Sequence, residues 1–174
     1  MSTLKLNNLE AATGTTINIA SGDKISGAAG SMVTPGSVIQ VVEFTESTDY
    51  STTSTNTDVQ GPQTGTFTLL NSSNKVLVTA TFLGNTTLSS SYNGARFSLY
   101  RGSISSGTRI TSGSEPQILT YSTDMWSWVC LQKLDAPGAN TTYSIGLNKH
   151  SNAGQANIKG SYGQTVITMQ EIAQ

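Results

Sequence analysis

A chain of 174 residues with 36 % hydrophobic side chains can bury one core, yet only 11 % of its residues are charged, less than half of the roughly 25 % usual in soluble domains. A net charge of −1 and an isoelectric point near 5.7 leave no basic field, so counterion release from a phosphate backbone cannot drive binding and nucleic acid is not an expected partner. No stretch approaches the ~18 consecutive apolar residues of a membrane span, and MSTLKLNNLEAATG has neither a basic leader nor an apolar h-region, so the expectation is cytoplasmic synthesis without membrane insertion.

Ser, Thr, Asn, Gln and Gly supply the missing polarity, and threonine in particular suits exposed strand faces. Residues 1–35 hold only short apolar pairs, Leu4 and Leu6 in LKL and Ile17 and Ile19 in INI, among small residues. That is too little apolar surface to fold alone, so this segment is expected to be an extended arm that attaches to a larger assembly through those four side chains. Residues 36–174 are expected to form the folded domain.

Within that domain SVIQVVEF (37–44), TGTFTLL (64–70), KVLVTATFL (75–83) and ARFSLY (95–100) read as strands, followed by QILTY (117–121), MWSWVCLQKL (125–134), TTYSIGLN (141–148) and QTVITMQEI (164–172). In the third, Val76, Val78, Ala80 and Phe82 share one face, while Leu77, Thr79, Thr81 and Leu83 share the other. In the fourth, Ala95, Phe97 and Leu99 oppose Arg96, Ser98 and Tyr100. Many short alternating strands joined by Gly- and Asn-rich turns predict an all-β, antiparallel jelly-roll-like sandwich. Asn71, Asn85 and Asn140 open N-x-S/T triplets and read as turn residues.

The outward faces are not cleanly polar. Leu77 and Leu83 share a surface with threonines, and Trp126 and Trp128 fall on one side of a single strand. Self-association through these four residues, expected to be trimeric, would hide them, and the low charge offers little repulsion. The competing expectation is that all of them fill one core. Cys130, the single cysteine, has apolar neighbours and is expected to be a buried, inert thiol.

Catalytic chemistry finds little to work with. His150 is the only histidine and lies in the loop-like NKHSNAG, where a solvated side chain is expected; GxSxG, GxxxxGK, HExxH, CxxC and DxDxDG patterns are absent. Of the carboxylates Glu43, Glu46, Asp49, Asp58, Glu115, Asp124 and Asp135, none has a glycosidase-like context. The reading is therefore non-enzymatic, with no metal and no cofactor. The stretches 45–63, 84–94 and 148–163 mix tyrosine with amides and hydroxyls, the composition of adaptable binding loops, so Tyr50, Tyr92, Asn93 and Tyr162 become the candidate ligand contacts, the tyrosines by stacking on sugar rings.

The phrases PGSVIQVVEF (35–44), SSNKVLVTATF (72–82), GARFSLYRGS (94–103), TTYSIGLNKHSN (141–152) and ITMQEIA (167–173), with the opening MSTLKLNNLEAATG, resemble the C-terminal head of tail-fibre and other virion structural proteins of marine and cyanobacterial tailed phages. The resemblance implies a trimerising jelly-roll head, similar in outline to complement-type and tumour-necrosis-factor-like domains, and brings no catalytic residues with it. It leads to the expectation of a homotrimeric virion surface protein, made in the host cytoplasm, that docks on other virion proteins through its N-terminal arm and recognises a host glycan or protein. The short chain, with its own methionine and no shaft, departs from long fibres. A capsid decoration protein bound to the shell by the same arm is the alternative, and a secreted carbohydrate-binding module is the third.

Overall fold

Alternation of apolar and hydroxyl-bearing positions produces eleven strands among the described residues, which in the computed structural model are 34–87, 93–111, 117–120, 124–150 and 153–174. The candidate attachment residues Leu4, Leu6, Ile17 and Ile19, and the candidate ligand residue Tyr92, lie outside them. In chain order the strands are β1 (Val38–Glu46), β2 (Asp49–Thr52), β3 (Val59–Gln63), β4 (Lys75–Thr86), β5 (Asn93–Arg101), β6 (Thr108–Arg109), β7 (Ile118–Thr120), β8 (Met125–Asp135), β9 (Tyr143–Lys149), β10 (Ala156–Lys159) and β11 (Thr165–Ile172).

Three pairs of these act as single interrupted strands. β11 pairs with β1 and β10 with β2, while β10 and β11 follow one another along the same edge of β4. β6 and β7 share one edge of β5 in the same way. With the interruptions joined, the chain is a nest of antiparallel pairs: first with last, β3 with β9, β4 with β8, and β5 with β6 and β7. Rolling that nest over itself gives a six-stranded sheet (β1, β2, β4, β8, β10, β11) facing a five-stranded one (β3, β5, β6, β7, β9), the connectivity of a jelly roll. The expected all-β sandwich is the fold that forms.

The core lies between the sheets. Val76, Val78, Ala80 and Phe82 of β4 are fully buried, as are Ala95, Phe97 and Leu99 of β5, so both alternations read from the sequence hold. Phe82 and Phe97 meet edge to face across the two sheets, centroids 4.9 Å apart at 69°. Each large side chain placed here contributes about 1.5–3 kcal/mol of transfer free energy. At one end the sheets are also joined by polar contacts: the buried Tyr143 of β9 donates its hydroxyl to Asp135 Oδ2 of β8 (3.0 Å), and Arg101 of β5 lies 3.5 Å from the other carboxylate oxygen. Burial, and then the Asp135 charge, push the Tyr143 hydroxyl pKa far up, so it stays a donor.

The structure departs from the expected elements where side chains take over backbone pairing. TGTFTLL (64–70) is not a strand; only Phe67 forms an isolated bridge, with Thr141. The amide of Leu69 instead donates to Asn140 Oδ1, and the amides of Leu70 and Asn71 donate to the Glu171 carboxylate. Conversely, the expected loops 45–63 and 148–163 contain β2, β3 and β10. Their pleat is concealed because, beside Tyr50, the inward positions of β2 and β3 include the small or unusual Thr52, Gly61 and Pro62. Pro62 is tolerated because β3 is an edge strand whose register is irregular between Gln60 and Gln63. Asn85, read as a turn residue, is buried in β4 and accepts a hydrogen bond from Asn157 Nδ2 at 2.9 Å.

Two carboxylates fasten the connections. Glu171 on β11 is fully buried and accepts the Leu70 and Asn71 amides and, at 2.7 Å, the Asn74 side-chain amide. Replacement by glutamine turns an acceptor into a donor facing other donors. Glu171→Gln should cost about 1–3 kcal/mol, read as a lower urea midpoint at unchanged slope; an unchanged midpoint would show that the loop is held otherwise.

Asp49 accepts the Ser161 amide (2.9 Å) and hydroxyl (2.7 Å) and lies 3.2 Å from Lys159 Nζ. The Ser161 amide is the main cause that lowers its pKa below the ordinary 3.8, against a smaller opposing effect of burial. A lowered folded-state pKa means the fastening is fully present above pH 3.8 and is lost as pH falls through the lower value. The Ser161 amide resonance should therefore titrate only below that ordinary value, and Asp49→Asn should abolish the transition; a midpoint at or above it would contradict the hydrogen bonding described.

Candidate functional site

The two outer faces of the sandwich have opposite characters. On the six-stranded sheet, strand register sets the outward side chains in rows: Leu83 beside Trp128, Thr81 beside Cys130, Thr79 beside Gln132 and Leu77 beside Leu134. β11 and β1 extend these rows with Val166 and Thr45, Thr168 and Glu43, and Gln170 and Val41. All four residues singled out for self-association, Leu77, Leu83, Trp126 and Trp128, thus share one face. Leu77 and Leu83 are half-buried, while Trp126 and Trp128 remain 45 % and 61 % exposed, so the tryptophans do not fill the core.

The aromatic end of this face is organised rather than loose. Trp128 lies over Gly163, where an added Cβ would come within 2.7 Å of its ring and 3.5 Å of Leu83 Cβ. Tyr162, 74 % exposed, meets Trp126 edge to face with centroids 5.3 Å apart. A tyrosine singled out for ligand contact and a tryptophan singled out for self-association therefore belong to one patch. Cys130 is exposed at the centre of the same face, contrary to the buried thiol expected, because its apolar neighbours in sequence alternate away from it in the pleat.

The remaining candidates are dispersed. Tyr50 sits on β2, packed against the core, with its hydroxyl donated to Glu46 Oε1 at 2.8 Å. Burial first, and then Glu46, raise its pKa to about 12. Asn93 opens β5, paired with Thr120. His150 follows directly on β9 in the loop expected, but it is half-buried rather than fully solvated, its amide donating to the Gly94 carbonyl at 2.7 Å. Among the described residues no three His, Cys, Asp or Glu side chains cluster as metal ligands would.

The outer face of the five-stranded sheet carries a polar cleft. It has a volume of about 530 Å³ and is lined by 55–58, Arg96, Tyr100, Arg109 and Asn148. At its base the Asp58 carboxylate, 4 % exposed, accepts the Tyr100 hydroxyl at 2.8 Å and Asn148 Nδ2, with Arg109 Nε 4.0 Å away. Burial, followed by the Asp58 contact, pushes the Tyr100 hydroxyl up to about 12, so it donates throughout the neutral range. No motif announces this group. Its one legible signal is the outward placement of Arg96 and Tyr100 on β5; Asp58 and Asn148 come from strand ends distant in sequence.

Solved structures similar to this chain include three from one virus. They are the infectious bursal disease virus Gx strain (11 % identity, TM-score 0.40, 86 % of this chain and 42 % of that chain), the VP2 subviral particle of infectious bursal disease virus (12 %, 0.40, 87 % and 42 %) and the Gt strain (14 %, 0.37, 87 % and 41 %). This chain spans about two fifths of the length of each. No protein-family model matches the sequence, and neither does any curated protein.

Proposed function

We propose that the chain is a non-enzymatic virion surface protein that assembles as a homotrimer through the outer face of the six-stranded sheet and turns the polar face of the five-stranded sheet toward a host surface. The observation that carries this reading is the difference between the two faces. One bears Trp126, Trp128, Leu134 and Val41 in the open, whereas the other holds a cleft of arginine, aspartate, asparagine and tyrosine. Exposed aromatic residues on a sheet face favour a partner surface, and a stable contact needs about 800 Å² from each side. The middle of the face, from Leu77 to Leu83 on β4 and from Trp126 to Leu134 on β8, turns no charged side chain outward, the ions Lys75, Glu43 and the Asp49–Lys159 pair standing around it, so a copy of itself meets little repulsion there. Tail-fibre-like attachment follows from the sequence resemblance, and many weak polar contacts multiplied by copy number would supply the avidity. The second reading, capsid decoration, is favoured by β1 lying at an open sheet edge with Val38, Val41 and Val42 exposed, a place where another chain can add a strand.

Purified protein should have a solution mass three times that of the 18.2 kDa chain, with Cys130 slow to react with thiol reagents. Replacing Trp126 and Trp128 together by serine should return the mass to one chain and open Cys130 to labelling while strand content is kept. A wild-type mass of one chain with a rapidly labelled Cys130 would defeat the oligomer. The attachment role predicts that pure protein binds host cells; undiminished adsorption of particles lacking it would remove that role, and many copies on the shell in electron micrographs would favour decoration.

A further inference from the structure

The cleft on the five-stranded sheet contains two polar atoms that the fold leaves unanswered. Arg96 of β5 lies opposite Asn148 of β9 in register, and both line the cleft. The Asp58 charge is met within the chain by Tyr100, Asn148 Nδ2 and Arg109. Arg96 has no such partner among the described residues: its Nε is buried and makes no hydrogen bond. Asn148, 6 % exposed, gives its Nδ2 to Asp58 and leaves Oδ1 buried and unpaired. Buried polar atoms are rarely left in this state, since each such atom weighs against the fold unless something bound supplies a partner.

The missing partners have opposite requirements. A guanidinium calls for an anion, best a planar carboxylate that its fork can grip, and an amide oxygen calls for a hydroxyl donor. Sulfate satisfies the first but not the second; a neutral sugar satisfies the second but not the first. The half-exposed ring of Tyr100, four residues along β5 from Arg96, lines the same cleft; its hydroxyl is already committed and its face offers a surface on which sugar C–H groups pack. The ring reaches that position because residue 146 is glycine: a Cβ there would lie 2.9 Å from Tyr100 Cε2 and 3.0 Å from Asp58 Cβ. The cleft volume, about 530 Å³, falls within the range of small-molecule sites.

We infer that this cleft binds a hydroxylated carboxylate, the chemistry of a uronic or other sugar acid, with Arg96 holding the carboxylate and Asn148 Oδ1 accepting a ring hydroxyl. The inference deepens the recognition reading above and rests on it. Ligand entry turns Arg96 by a rotamer step, bringing its Nε–H from beneath the cleft surface to the carboxylate.

The test is titration of the assembled full-length protein with glucuronate, followed by the Arg Nε–H resonances in NMR, alongside glucose, sulfate and glutamate at equal concentrations. Glucuronate should bind at least tenfold more tightly than the other three and should move the Arg96 Nε–H signal in the wild-type protein. Arg96→Gln should weaken it at least tenfold, and Arg96→Lys by less, with oligomer mass unchanged in both. The assignment is overturned if glucuronate fails to bind, if glucose, sulfate or glutamate binds as well, or if binding survives Arg96→Gln with the Nε–H signal unmoved. Host-cell binding that glucuronate does not compete would likewise remove the sugar-acid ligand while leaving the recognition role standing; loss of host-cell binding altogether is the separate failure of that role.

Discussion

Strand β4 carries backbone partners on both edges over its length, β8 along one side and β11 followed by β10 along the other. Its inner face supplies four fully buried apolar side chains, and through Phe82 it bears on Phe97 of the opposite sheet. Because side chains alternate with a period of two, a slip of one residue in this strand would place Thr79 and Thr81 in the core and Val78 and Phe82 in solvent. That penalty fixes the register of the three strands beside β4, and with it the rows that form the outer face. The aromatic patch is thus a by-product of the core's own constraint.

How much of this was legible in the sequence follows from what each strand buries. β4, β5, β8, β9 and β11 have apolar residues at alternate positions and were readable from pattern alone. β2, β3 and β10 were not, because hydroxyls, amides, glycine and proline occupy much of their length, and these short strands owe their pairing to longer neighbours already in place. TGTFTLL erred in the opposite direction: its alternation is regular, but the Glu171 carboxylate competes for the amides a strand would need.

The same logic divides the candidate residues. Those placed by pleat parity, Leu77, Leu83, Trp126 and Trp128, come together on one face, since parity is a local property. Those chosen for loop chemistry do not, since Tyr50 packs inward from a strand and Tyr162 joins the tryptophans. Asp58, Arg96 and Asn148 line one cleft only after β3, β5 and β9 are laid side by side, Asp58 and Asn148 standing 90 positions apart in sequence. A constellation assembled from three strands has no spacing to recognise.

The absence of outward ions in the middle of the six-stranded sheet, between Leu77 and Leu83 on β4 and along β8, bears on the conditions its contacts tolerate. Attraction between tryptophan, leucine and threonine surfaces needs no opposite charges, so dissolved salt has little to screen there. Its strength comes from the reluctance of water to hydrate apolar area, which fades on cooling. An assembly joined this way would keep its cohesion from fresh water to brine and slacken first in the cold, whereas a grip centred on the single guanidinium of Arg96 would respond to salinity.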